Sequence, residues 1–153
     1  MPLHDNYRSN LEDAKEFEDF VFDTMLHERK LVAGGYRSRQ YQVAHGESMT
    51  GVEVKFDREF RNTGNLFVEI MERANVNEQM IPSGIYHATN PWLLAIGDYS
   101  TFWVFATQTL RNIHEQGNCR EAENRTHTGR GFLLPVCKAD RHMAWKWEST
   151  YGR

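Results

Sequence analysis

Cysteine is nearly absent from this sequence: Cys119 and Cys137 are the only two among 153 residues. Far apart and without a second pair, they supply neither the ligand set of a zinc ribbon nor a disulfide framework, and both are expected as reduced thiols. No apolar run approaches the length of a membrane span, and the start, Met1-Pro2-Leu3-His4-Asp5-Asn6, lacks the charged-then-apolar pattern of a signal peptide. A cytoplasmic (intracellular) protein with no membrane partner is the expectation. Positive charge is not in excess either. A formal net charge of −3 argues against indiscriminate binding to nucleic acid but leaves room for a local basic patch. Internal repeats and low-complexity segments are missing too.

What is present suits one globular domain over residues 1–153, long enough for a real core but without room for a second. Hydrophobic residues at 40%, charged residues at 25%, nine Phe and four Trp fit that class. Ser9 with Glu12 three positions on is a capping-box pattern and predicts a helix over about residues 10–28. Leu11, Ala14, Phe17, Val21 and Met25 recur at helical spacing on one side, with Phe20 and Leu26 beside them. Glu18 lies within that stripe, either as a rim carboxylate reaching water or as one leaning over a sheet.

Tyr36 to Ala44, after Gly34-Gly35, reads as a first strand. Gly51-Val52-Glu53-Val54-Lys55-Phe56-Asp57 alternates strictly. In an extended strand Val52, Val54 and Phe56 therefore share one face, while Glu53, Lys55 and Asp57 share the other. A carboxylate beside an ammonium is what metal-dependent phosphodiester chemistry needs, although strands with one polar face also carry Glu-x-Lys without any chemistry. Asn62-Thr63-Gly64-Asn65 is a turn signal, so Val52 to Phe60 and Leu66 to Glu72 are expected to pair as an antiparallel hairpin. From Leu66 to Met71 Glu69 is the one charge among apolar neighbours, and Lys55 across the hairpin or a water-bridged metal contact would satisfy it.

Ser83 can cap a short helix to about Asn90, and Gly97-Asp98-Tyr99-Ser100 separates Trp92–Ile96 from Thr101–Ala106 as an extra hairpin. Thr107 is expected to cap a helix to about Glu115 with Gly117 as its stop. Residues 116–130 read as a polar loop, Gly131 to Val136 as a buried strand, and Lys138 to Trp147 as a closing helix.

The E-V-K-x-D strand, the T-G-N turn, the strand carrying Glu69 and the P-S-G-I segment stand in that order over roughly the middle half of the chain. Together they resemble phage and bacterial proteins of the PD-(D/E)XK nuclease superfamily. The resemblance implies an α/β, restriction-endonuclease-like αβββαβ core, its mixed sheet flanked by helices. It also implies Mg²⁺-dependent cleavage of DNA, with Mn²⁺ able to substitute and a homodimer as one way to grip a duplex. Carried onto this chain, Glu53 is the second acid and Lys55 the lysine, while Glu47 stands where a first acid is needed, so Glu47 and Glu53 are the metal ligands. A competing register makes Asp57 and Glu69 the two acids, and Glu18 becomes the first-helix Glu that such nucleases often turn toward the site. Arg37, Arg58, Arg61 and Arg130 are candidate phosphate contacts. A nuclease-like protein that binds nucleic acid or protein without cleaving is the alternative.

Overall fold

A computed structural model describes residues 3–29, 52–88 and 92–150 of the chain. It is a mixed α/β protein built from two four-stranded sheets and flanking helices. The strand expected at Tyr36 to Ala44, with its Arg37, and Glu47 lie outside the described residues.

Helix α1 (Leu3–Arg29) begins a turn and a half before the capping-box pattern, so Ser9 falls inside it. Nothing between Leu3 and Ser9 breaks a helix, and the proline at position 2 is a residue that helix starts tolerate. The C-terminal half of the expected stripe is buried: Phe17, Val21 and Met25, joined by Phe22, pack on Val52, Ala95, Phe102 and Val104, whereas Leu11 and Ala14 are exposed. The Phe17 ring stacks on Phe56 at 4.5 Å between centroids.

Those partners belong to the first sheet, which holds β1 (Val52–Phe56), β4 (Leu93–Gly97), β5 (Thr101–Ala106) and β8 (Trp145–Glu148) in that order. β1 runs parallel to β4, and the remaining pairs are antiparallel. The opposite face of this sheet carries Leu94, Ile96, Trp103 and Phe105, which meet Leu66, Val68, Ile70, Phe132 and Leu134 of the second sheet. That sheet is ordered β3 (Ile81–Pro82), β2 (Asn65–Glu72), β7 (Gly129–Pro135) and β6 (Glu121–Glu123), all antiparallel. Helices α3 (Thr107–Glu115) and α4 (Val136–His142) close this core with Leu110, Ile113 and Ala139.

Five expectations need correction. β1 and β2 do not form a ladder hairpin, because a helical turn, α2 (Phe60–Thr63), is spliced between them and sends them into different sheets. Gly64, at φ +75°, ends that turn in the left-handed conformation glycine adopts freely. Residues 116–130 are not one loop: β6 pairs with β7 across a turn that Asn124 organises by accepting from the amides of Thr128 and Gly129. The segment after Ser83 is only a 3-10 turn (Gly84–Tyr86), and Ala106 rather than Thr107 occupies the cap of α3. The closing helix stops at His142, and Trp145-Lys146-Trp147 extends as β8. Its two-residue alternation puts both Trp rings against the α1-side core and sends Lys146 the other way, onto Asp140 at 3.0 Å. Among the described residues no helix is long and apolar enough to cross a membrane.

Candidate functional site

β1 is an edge strand, and its alternation decides which side chains reach the site. Val52, Val54 and Phe56 face α1, so Glu53 and Lys55 project on the other face, toward the second sheet. Lys55 Nζ lies 3.1 Å from Glu53 Oε1. The Glu53 side chain is 14% exposed and that of Lys55 45%, so the carboxylate is sheltered while the ammonium still meets water.

Asp57 sets how β2 arrives. Its Oδ1 accepts from the amides of Glu59 (2.9 Å) and Phe60 (3.0 Å), capping the helical turn, and its Oδ2 accepts from the Phe67 amide at 3.0 Å. The second bond does the work of a ladder rung between strands in different sheets. Two residues back along β1 and two forward along β2 bring Lys55 and Glu69 to corresponding positions. Electrostatics agrees, since Lys55 and Glu53 both act on the Glu69 carboxyl. Asp57→Ala removes all three acceptor contacts and is expected to cost about 2–3 kcal/mol, combining a lost cap with a lost charge-assisted bond. A urea midpoint that falls accordingly, with an unchanged slope, is the check.

Glu69 is half-buried, and its pKa is raised above the ordinary carboxylate value. Burial is the largest cause; Lys55 opposes it, Glu72 adds to it, Ser83 opposes it and Glu53 adds to it. Because the folded-state pKa is the higher one, Glu69 favours folding below its unfolded-state pKa, and that contribution is lost as pH rises through the elevated value. Glu69→Gln is therefore expected to be more stable than the parent at pH 7. The advantage should close as pH falls toward 4.5, the ordinary carboxylate value, in thermal melts run across that range.

The wall behind Glu69 comes from the P-S-G-I segment. The Ser83 amide donates to Ile70 O at 3.0 Å, and Gly84, at φ +55°, presses against the Glu69 backbone. Gly129 faces the Glu69 carboxyl from β7. These neighbours are not legible as site residues in the sequence, although the presence of P-S-G-I downstream was the available signal. Also unforeseen is a chain of contacts from Tyr86 Oη to His114 Nδ1 (2.6 Å) and from His114 Nε2 to Glu121 Oε1 (3.2 Å). It ties the 3-10 turn to α3 and β6, with the imidazole stacked on Phe132.

Other candidates stand apart from this group. Glu18 sits on α1, which covers the opposite face of the first sheet from Glu53 and Lys55. The three candidate phosphate arginines within the described residues all have carboxylate partners. Arg58 pairs with Asp13, and Arg130 reaches Glu121 (3.5 Å) and Glu123 (3.9 Å). Arg61 grips Asp98 through two nitrogens at 2.7 and 3.2 Å. Burial works against ionisation of Asp98, but Arg61 and the Ser100 and Thr101 amides outweigh it and hold its pKa below the ordinary value. Arg61 thereby fastens α2 to the β4–β5 turn.

Fold and site together define a mixed α/β protein in which a Glu–Lys pair, its carboxylate sheltered and its ammonium partly exposed, neighbours a desolvated carboxyl. Within the described residues no group of three His, Cys, Asp or Glu is clustered for a metal ion. In comparisons with known proteins, no family model, no curated protein and no solved structure matches the chain.

Proposed function

We propose that the protein is a metal-dependent endonuclease that hydrolyses phosphodiester bonds in DNA, on a restriction-endonuclease-like core. The observation that carries this reading is the convergence of Glu53 and Lys55, bridged at 3.1 Å, on the half-buried Glu69 of a strand in the other sheet. A strand pair that needed only a structural ion bridge has no use for a second carboxyl kept unfavourably desolvated beside it.

The donor chemistry fits a hard divalent cation. Glu53 and Glu69 offer carboxylate oxygens, the donor type a hard divalent cation prefers. Glu53 and Glu69 would hold Mg²⁺ or Mn²⁺. Such an ion, when bound, supplies charge neutralisation at the phosphate and a lowered pKa for water. Lys55, beside Glu53, directs a positive charge to the same place, where it orients the nucleophile and stabilises charge developing on phosphate oxygens. The partly exposed ammonium leaves a way in for the substrate.

Incubation with supercoiled plasmid tests the reading. Nicked or linear DNA should form with Mg²⁺ or Mn²⁺ and not with chelator. DNA retained in a salt-sensitive way without nicking would support the non-cleaving alternative instead.

A further inference from the structure

Ser83 is 2% exposed, and its Oγ is the one buried side-chain polar atom with no hydrogen-bond partner among the described residues. A hydroxyl left in that state costs about 1–3 kcal/mol, so folding alone does not explain it. Its position is fixed from several directions. The Ser83 amide donates to Ile70 O, and the Ser83 carbonyl accepts from the Tyr86 amide, both at 3.0 Å. Gly84 follows at φ +55°, so close to β2 that a Cβ there would lie 2.1 Å from the Glu69 carbonyl oxygen. The turn is thus pressed onto β2 at the residue that carries the carboxyl, and its buried hydroxyl meets no acceptor at bonding geometry.

We propose that Ser83 is a positioning residue of the cation site: its hydroxyl donates to one oxygen of the Glu69 carboxylate when a divalent cation is bound, leaving the other oxygen for the ion. This rests on the cation-binding reading given above. Ser83 is the donor, Glu69 the acceptor, and no covalent bond changes. Outer partners of metal ligands act in this way by fixing ligand orientation, and their loss typically weakens metal binding about 10–100-fold.

The test compares parent and Ser83→Ala by thermal melts over a Mn²⁺ titration, with no substrate present. Removing an unpaired hydroxyl deletes a buried polar group without stranding a partner. Metal-free Ser83→Ala should therefore melt at or above the parent temperature, while the Mn²⁺ concentration giving a half-maximal shift rises about tenfold or more. A merely structural serine would do the reverse, lowering the metal-free melt and leaving the titration unmoved. Equal Mn²⁺ titrations in the two proteins overturn the Ser83 role and leave the cation site standing. A lower metal-free melt in Ser83→Ala also overturns it. A parent protein that does not respond to Mn²⁺ removes the cation reading itself, and the Ser83 role goes with it.

Discussion

Lys55→Ala is expected, on the proposed nuclease reading, to lower metal-dependent nicking of supercoiled plasmid at least about 100-fold, the scale set by removing one preorganised electrostatic group from an active centre. The fold should survive the change. Lys55 is 45% exposed and its bridge to Glu53 is half in water, so the stability change should stay within about 1 kcal/mol. Its loss nonetheless leaves Glu53 and Glu69 with less positive charge nearby, because Lys55 is the group that most strongly opposes the elevated pKa of Glu69. The Glu69 pKa should accordingly rise further in Lys55→Ala, and with it the pH needed for cation binding. Assaying nicking at several pH values separates this from a lost contact: higher pH would restore the first and not the second. Activity within a few-fold of the parent at all pH values would remove Lys55 from the mechanism.

Gly84→Ala should be the most damaging single change near the site, with an expected loss of about 2–4 kcal/mol from backbone strain and overpacking together. Two costs coincide there. Alanine is strained at φ +55°, and its Cβ would stand 2.1 Å from the carbonyl oxygen and 2.7 Å from the carbonyl carbon of Glu69. Both are backbone atoms, so no rotamer change relieves the collision and β2 must move at the residue that carries the carboxyl. Gly64→Ala is the matched control. Gly64 is also left-handed, at φ +75°, but has nothing within 4 Å of the added Cβ, so only the conformational cost of about 1–2 kcal/mol applies. Urea denaturation of the two variants measures the difference. If they lose equal stability, the close approach of the P-S-G-I turn to Glu69 does not constrain the site.

Local patterns in the sequence were legible where the partner lay close in the chain or the apolar face was wide. The Phe17, Val21 and Met25 stripe is buried as read, and the β4–β5 hairpin closes through Gly97 and Asp98 between the strands expected there. The alternation of Val52 to Asp57 likewise told which face holds Glu53 and Lys55. Partner choice over longer distances was not legible. A period of two shows that β1 is a strand, but not that it pairs in parallel with β4 instead of turning back on β2. The spliced turn Phe60–Thr63 and the Asp57 contact to Phe67 decide that, and both depend on tertiary packing. Trp145-Lys146-Trp147 fits a short helix end as well as a strand until β5 offers an edge to pair with. For the candidate site, the sequence singles out Glu53 and Lys55 with Glu47, and Glu69 only in the competing register with Asp57, whereas the partnerless hydroxyl of Ser83 and the engagement of Arg58, Arg61 and Arg130 with carboxylates follow only from the packed chain.

Anomalous diffraction from a crystal soaked in Mn²⁺ addresses the central claim most directly. The account predicts one peak at carboxylate-ligand distance, about 2.2 Å, from Glu53 and Glu69 together, with the Lys55 ammonium alongside. Both carboxylates free of metal, with the ion bound elsewhere or nowhere, would contradict it.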